Sequence, residues 1–198
     1  MRLFVALDIP EHAAQYLADV QQQLRRETAA DRWQSLHNLH LTLHFLGEVD
    51  EAMLPAICED MDIVSAIMKP FRLSTGEFGA FPHAYSPRVL WLGLDGHTQA
   101  LQQLHLLLAR RFELRAGLSY DKRKYRPHIT LARGVHAPET GLPLAEWNER
   151  FLAVAKPNWQ VAQVHLYRSE LLPKGAVHTI LHSSTFDKDH GKKQAIPE

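Results

Sequence analysis

A pattern that occurs twice, at residues 40–43 (HLTL) and again at residues 128–131 (HITL), is the strongest constraint on the fold of this 198-residue sequence. In both copies, polar and apolar residues alternate. Because neighbouring side chains of a β-strand point to opposite faces, the alternation predicts two strands. Each would carry a histidine and a threonine on one face and apolar core residues on the other.

The segments around the two copies are also alike. Each copy follows an alternating strand and a helix with an apolar stripe. The strand positions that match are Phe4, Ala6 and Asp8 in the first half and Trp91, Gly93 and Asp95 in the second. A tripeptide can recur by chance, but its recurrence at the same place in two strand–helix–strand units predicts an internal duplication around a pseudo-twofold axis.

Hydrophobic periodicity predicts the other elements as well. Alternation predicts strands over residues 2–8, 39–47, 71–79, 88–95, 126–134, 159–171 and 176–186. Apolar residues at helical spacing predict helices over residues 9–27, 50–68 and 97–115, and a short helix around residues 144–151. The resulting order is β-α-β-α-β followed by β-α-β-α-β-β.

Composition and charge argue against several classes of protein. Lys plus Arg and Asp plus Glu both number 22, which disfavours a strongly basic nucleic-acid binder but allows a local basic cleft. The single cysteine, Cys58, excludes an intramolecular disulfide. No apolar run reaches the roughly 18 residues of a membrane span, and the N-terminus lacks a signal-peptide pattern. We therefore expect a cytoplasmic protein that does not bind membranes.

Three histidines around the first pattern raise the question of a metal site. His37, His40 and His44 would share one face of a helix, where they could converge on a metal ion. The alternation of residues 39–47 favours a strand instead, which separates His37 from the other two. No Asp or Glu accompanies the histidines on the predicted strand faces. We expect neither a metal nor another cofactor.

Paired histidines and threonines are suited to phosphoryl transfer. If the two halves face one another, both polar strand faces line one cleft. One histidine can then act as a general base and the other as a general acid near neutral pH. Threonine hydroxyls can donate hydrogen bonds to phosphate oxygens whose negative charge grows during attack. The residues alone do not distinguish the acid from the base.

The two motifs also carry a family resemblance. NLHLTLHFLG and RPHITLARG resemble the paired motifs of the 2H phosphoesterase superfamily, most closely its RNA 2′,3′-cyclic phosphodiesterases, also called 2′-5′ RNA ligases. RLFVALDIP, RVLWLGL and VHLYRSEL are similar to that family too. The resemblance implies an α+β fold in which the antiparallel sheets of two pseudo-symmetric lobes form a central cleft, with helices packed on the outside. It implies a single bilobal domain over residues 1–186, and we expect residues 187–198 to form a disordered tail.

The resemblance also implies a role for each motif residue. His40 would be the proton donor to the leaving 3′ oxygen, and His128 the proton acceptor that activates water. The product would be a 2′-phosphomonoester, and Thr42 and Thr130 would bind the phosphate. The reverse reaction would join a cyclic-phosphate end to a 5′-hydroxyl, which is the ligase activity in the family name.

Aromatic residues on the same strand faces are candidates for binding the terminal base. Phe4 and Trp91 occupy matching positions and could stack a base, as aromatic side chains do for single-stranded RNA. Core packing is the alternative for both. His44 shares the predicted face of His40 and could contact the substrate, although an exposed polar role is an equal alternative.

Basic residues flank the second motif. Arg126 and Arg133 lie on either side of it, and the run KRKYR (122–126) could steer RNA phosphates into the cleft. A solvated loop is the alternative interpretation of this run.

The implied partner is an RNA with a 2′,3′-cyclic phosphate end, tRNA fragments included, bound by a monomer. Two alternatives remain open. The same site could act on a small cyclic nucleotide or on ADP-ribose cyclic phosphate, or the chain could bind RNA ends without turnover. Retention of both histidines and both threonines argues against a binding module.

Overall fold

The protein was examined as a computed structural model that describes residues 1–152, 155–172 and 175–187. The strands are β1 (Arg2–Asp8), β2 (Ala29–Trp33), β3 (His40–Glu48), β4 (Phe71–Phe81), β5 (Val89–Gly96), β6 (His128–His136), β7 (Asn158–Val161), β8 (Gln163–Leu172) and β9 (Gly175–Thr185). The α-helices are α1 (Glu11–Leu24), α2 (Leu54–Ile67), α3 (Thr98–Glu113) and α4 (Leu144–Leu152). Apart from Asp187, the predicted tail lies outside the described residues.

Helix boundaries follow local chemistry. Pro10, which is compatible with an extended N-cap, directly precedes α1. The Asp50 side chain accepts a hydrogen bond from the Ala52 amide at 3.0 Å, but it caps a 3₁₀ turn over Glu51–Met53 rather than α2 itself. Helix α2 begins after this turn, and Pro55 lies in its first turn, where no backbone donor is needed.

The sheet is continuous, and its strands run in the order β7-β4-β5-β6-β3-β1-β8-β9. Every pairing in it is antiparallel, and β2 adds to β6 off this path. The order is symmetric about the junction of β3 and β6, because β1, β8 and β9 on one side correspond to β5, β4 and β7 on the other. The predicted α+β class with antiparallel strands is confirmed, and the two lobes share one curled sheet.

The helices cover one face of this sheet and leave the other face to the cleft. The apolar residues of the repeated pattern, Leu41, Leu43, Ile129 and Leu131, are all buried in the main core. Burial of a leucine or isoleucine side chain contributes about 1.5–3 kcal/mol, so the alternation fixes which face of β3 and β6 turns inward. In the described ranges, no helix combines the length and apolarity needed to cross a bilayer.

Two strand predictions need correction. Strand β2 was not predicted, because AADRW has no apolar alternation; its residues are exposed or half-buried, and backbone pairing to β6 holds them. The single strand predicted over 159–171 is two strands: β7 pairs with β4, whereas β8 pairs with β1. The chain therefore passes from one side of the pseudo-twofold axis to the other between Val161 and Gln163.

The match between the two halves is shifted by two positions from the one predicted. Asp8 pairs with His40 in the first half, whereas Gly93 pairs with His128 in the second. Ala6, and not Phe4, therefore corresponds to Trp91. The sequence match placed the two aspartates together because their residue types agree, but the backbone register places Gly93 where Asp8 lies.

Candidate active site

The two His-x-Thr strands meet at the pseudo-twofold axis. One backbone pair, Leu41 with Ile129, joins β3 to β6. In an antiparallel pair this register sets the flanking residues opposite one another, so each histidine lies beside the threonine of the other half. The four side chains line one narrow cavity of about 40 Å³, and they are His40, Thr42, His128 and Thr130.

Each histidine is held by a carbonyl two residues before it. His40 Nδ1 lies 2.8 Å from the Asn38 carbonyl oxygen, and His128 Nδ1 lies 2.6 Å from that of Arg126. A carbonyl oxygen can only accept a hydrogen bond, so Nδ1 carries the proton in both rings. Nε2 is therefore the atom that can take up or release a proton in each half.

The carbonyl that holds His40 is itself fixed in place. The Gln34 side-chain amide donates to the same Asn38 oxygen at 2.9 Å. The Asn38 side-chain amide donates to the carbonyl of Ala176 at 2.8 Å, which ties the segment before β3 to β9. The first contact is local, whereas the second joins segments 138 residues apart, for which the sequence contains no local signal.

Aromatic side chains support His40 from below. Phe4 is only 2% exposed; its ring lies 4.8 Å from the His40 ring and stacks on Tyr167 at 5.0 Å. This burial places Phe4 in a small core under the cleft, in agreement with its core-packing alternative. His178 on β9, for which the sequence indicated no role, lies edge-on to His40 at 5.4 Å.

The second half has its own aromatic support. Trp91 lies 5.9 Å from the His128 ring, and Phe81 meets that ring edge-on at 5.0 Å. The Trp91 ring covers Gly79, where an added Cβ would lie 2.1 Å from the indole. Trp91 is half-buried, so part of its surface remains accessible.

His44 does not lie on the cleft face. The pairing of β1 with β3 skips Leu43, which forms a β-bulge. Beyond the bulge, His44 is 1% exposed and faces the core, while Phe45 is 43% exposed and lines the cleft. The expectation that His44 shares the face of His40 is wrong, because simple alternation does not anticipate a bulge.

The second half contains the same irregularity. The pairing of β5 with β6 skips Leu131, after which Ala132 is buried and Arg133 lines the cleft. Arg133 thus occupies the place that Phe45 occupies in the first half. The two duplicated strands therefore turn the same position toward the cleft, but the first carries an aromatic side chain there and the second carries a cation.

A larger basic cavity opens next to the two candidate catalytic histidines. It has a volume of about 550 Å³ and is lined by Thr42, His128 and several cations. Those cations are Arg88, Arg123, Lys124, Arg126 and Arg133. Of these, only Arg123 forms a salt bridge with another described residue, Asp121. The neutral chain therefore concentrates positive charge at this cleft.

The environment lowers the pKa of both candidate catalytic histidines. Burial, opposed by the hydrogen bond to Asn38, lowers the pKa of His40 to about 4. Burial and the nearby Arg133 guanidinium also lower the pKa of His128 below its ordinary value. Burial therefore favours the neutral form of both rings in the free protein, and an anion bound between them would favour protonation.

The three histidines that suggested a metal site lie apart. His37 is on an exposed 3₁₀ turn, His40 faces the cleft and His44 faces the core. Across residues 1–152, 155–172 and 175–187, no group of three or more His, Cys, Asp or Glu side chains is arranged to hold a metal ion.

Known proteins resemble this chain over most of its length. The LigT-like phosphoesterase family model matches residues 7–91 and 97–178. The RNA 2′,3′-cyclic phosphodiesterase of Thermotoga maritima is 31% identical, over 94% of this chain and 96% of that protein. Its counterpart in Thermus thermophilus is 34% identical, over 98% and 95%.

Solved structures show the same relationship. The protein TT0787 of Thermus thermophilus superposes with a TM-score of 0.76 at 30% identity, covering 96% of this chain and all of that one. LigT of E. coli in complex with 3′-AMP superposes with a TM-score of 0.74 at 25% identity, covering 94% and 98%.

Proposed function

Because the chain belongs to the LigT-like phosphoesterase family, we propose that it hydrolyses RNA 2′,3′-cyclic phosphate ends to 2′-phosphomonoesters through a metal-independent pair of histidines. The observation that carries this proposal is the meeting of β3 and β6. It brings a histidine and a threonine from each half into one cavity, with both imidazoles anchored through Nδ1. Two such rings can handle the two proton transfers of a phosphodiester hydrolysis.

The proposed reaction moves one proton at each histidine. Nε2 of neutral His128 accepts a proton from water as the water oxygen bonds to phosphorus. The bond from phosphorus to the 3′ oxygen breaks, and Nε2–H of protonated His40 donates its proton to that oxygen. The Thr42 and Thr130 hydroxyls donate to the non-bridging oxygens, whose charge increases in the transition state.

The difference between the halves supports His40 as the donor. Asp8 lies opposite His40 in the β1–β3 register, and its carboxylate favours the protonated ring. The Tyr167 hydroxyl donates to this carboxylate, which helps to hold it in place. The corresponding position opposite His128 is Gly93, which has no charge. Burial still lowers the pKa of both rings, so the Asp8 carboxylate is the local difference that would favour a proton on His40 rather than on His128.

The basic cavity supports an oligonucleotide substrate over a small cyclic nucleotide. Arg126 and Arg133 line it together with Arg88 and Lys124, so several successive phosphates could be bound beyond the reacting one. The RNA-named relatives agree with this preference. By microscopic reversibility, the same residues would also allow 2′-5′ joining of a cyclic-phosphate end to a 5′-hydroxyl.

The test uses an oligoribonucleotide that ends in a 2′,3′-cyclic phosphate. We expect His40→Ala and His128→Ala each to slow hydrolysis by about 10²–10⁴, the usual contribution of one acid or base. His37→Ala, which changes an exposed histidine three residues before His40, should remain at the wild-type rate. Chromatography that resolves 2′- and 3′-phosphate products measures both rate and regiochemistry.

Full activity in either cleft variant would contradict the mechanism. Equal rates per phosphodiester on the oligomer and on a cyclic mononucleotide would favour the small-substrate alternative. Tight binding of the oligomer by wild type without any product would favour the binding module.

A further inference from the structure

Three stacked rings lie at the edge of the cleft, where His105 and Tyr125 line the basic cavity, and they take no part in the proposed proton transfers. They come from three different elements: His44 from β3, His105 from α3, and Tyr125 from the loop that leads to β6. The His44 and His105 rings are 4.1 Å apart and inclined by 9°. The His105 and Tyr125 rings are 3.9 Å apart and inclined by 6°.

Two hydrogen bonds cross between β3 and α3 and hold the two histidine rings in place. His44 Nε2–H donates to the His105 carbonyl at 2.9 Å, and His105 Nδ1–H donates to the Leu43 carbonyl at 3.2 Å. Leu43 is the bulge residue of β3, so this exchange joins α3 to the irregular part of the catalytic strand.

The stack is built for neutral rings. His44 Nδ1 is buried without a hydrogen-bond partner among the described residues, so a proton there would be an unpaired buried charge. Burial lowers the pKa of His44 to about 4 and lowers that of His105 as well. The edges of Phe112 and Tyr120 enclose the His44 ring, and Asp121 is the nearby carboxylate.

Packing alone does not account for this arrangement. A leucine at position 44 would bury apolar surface without leaving a polar nitrogen unpaired, which is costly in a protein interior. The two hydrogen bonds and the parallel rings instead define one orientation of α3 and of the loop relative to β3.

The loop end of the stack reaches both candidate catalytic strands. The Tyr125 hydroxyl lies 3.4 Å from the Thr42 carbonyl oxygen. Tyr125 directly precedes Arg126, whose carbonyl accepts the Nδ1 proton of His128. A displacement of the Tyr125 ring would therefore move the carbonyl that holds His128.

We propose that His105 is a positioning residue, which holds Tyr125 and thereby the Arg126 carbonyl that orients His128. It does not contact the substrate in this role. The expected effect of His105 on catalysis rests on the proposed function, whereas its expected effect on the orientation of the His128 ring does not.

The test compares His105→Ala with Leu108→Ala, a fully buried residue one turn further along α3. Two quantities are measured below the melting temperature of each variant: the ¹⁵N shifts of the His128 ring and kcat on the cyclic-phosphate oligomer. In His105→Ala, we expect the His128 shifts to move from a single Nδ1–H tautomer towards a mixture. We also expect kcat to fall by about 10–100-fold, the scale of a small misplacement of a catalytic group. Leu108→Ala should lose thermal stability but keep both values.

A rescue variant separates the ring from its polar atoms. His105→Phe retains the stack and should recover most of the lost kcat. If His105→Ala does not fold, Tyr125→Leu removes the other end of the stack, and its His128 shifts decide the question in the same way.

Wild-type His128 shifts in a folded His105→Ala or Tyr125→Leu variant would overturn the positioning role. If wild type does not turn over the oligomer, the proposed function fails, but the ¹⁵N shifts still test this inference. The inference would also be overturned if Leu108→Ala changed the His128 tautomer as much as His105→Ala does. Any loss of packing in α3 would then be enough to disturb His128.

Discussion

At the scale of single residues, local alternation identifies the candidate reacting groups but not the residues that surround them. His40, Thr42, His128 and Thr130 could be predicted because strand faces follow from a two-residue period. His44 was assigned to the wrong face because a bulge at Leu43 interrupts that period, and nothing in the local sequence marks the bulge. The carbonyls that hold the two histidines are local, but the aromatic rings that pack against His40 come from distant strands.

Arg133 gives a residue-scale prediction on pH. Its charge lowers the pKa of both His40 and His128, in each case as a smaller cause than burial. Since kcat/KM reports the free protein, both limbs of its pH profile should lie below the ordinary histidine value of about 6.5. Removing the positive charge makes protonation easier, so Arg133→Gln should move both limbs to higher pH.

The same substitution should also weaken phosphate binding. Loss of a charged hydrogen bond of about 1.5–3 kcal/mol would lower kcat/KM at its optimum by roughly 10–100-fold. Arg88→Gln is the matched control, since Arg88 lines the same cavity but is not a cause of either histidine shift. If kcat/KM of Arg133→Gln falls but both limbs of its pH profile stay where they lie in wild type, the predicted effect of the Arg133 charge on the two histidine pKa values is contradicted.

At the scale of elements, the sequence predicts well whether a segment is a helix or a strand and which of its faces is buried. It predicts poorly which strands pair with one another. Strands with clear alternation, such as β1 and β3, lie close to their predicted positions. Strand β2 has no apolar period; backbone pairing to β6 places it, with Ala30 and Trp33 packed against the core. The break between β7 and β8 depends on which strands they join. His178 reaches His40 only because β9 extends the sheet beyond β8.

The pairing of β4 with β5 gives an element-scale prediction. Gly79→Ala would place a Cβ 2.1 Å from the Trp91 indole, so the ring must move from its place beside His128 or the two strands must separate. We expect a loss of about 1–3 kcal/mol in the free energy of unfolding, the usual cost of overpacking. Denaturant titration measures it.

A second substitution provides the control for this prediction. Trp91→Leu removes the ring that clashes, so Gly79→Ala should cost much less in the Trp91→Leu background than in wild type. Additive effects of the two substitutions would show that the clash is not the source of the instability.

At the scale of the whole molecule, the duplication creates the site. Each half supplies one histidine and one threonine, and neither strand has a complete acid–base pair without the other. We infer that residues 1–186 act as one duplicated catalytic unit whose halves have diverged around a shared cleft. In the proposed mechanism, Asp8 opposite His40 and Gly93 opposite His128 are the difference that assigns the acid role to His40 and the base role to His128.

One measurement tests this division of roles most directly. A 3′-deoxynucleoside 2′-(p-nitrophenyl phosphate), which has no neighbouring hydroxyl to attack phosphorus, offers a leaving group that departs without a proton, so its hydrolysis needs a base but no acid. His40→Ala should lose about 10²–10⁴ in rate on the cyclic-phosphate end but stay within roughly tenfold of wild type on the nitrophenyl ester, whereas His128→Ala should be slow on both. An equal loss on both substrates in His40→Ala would contradict the account.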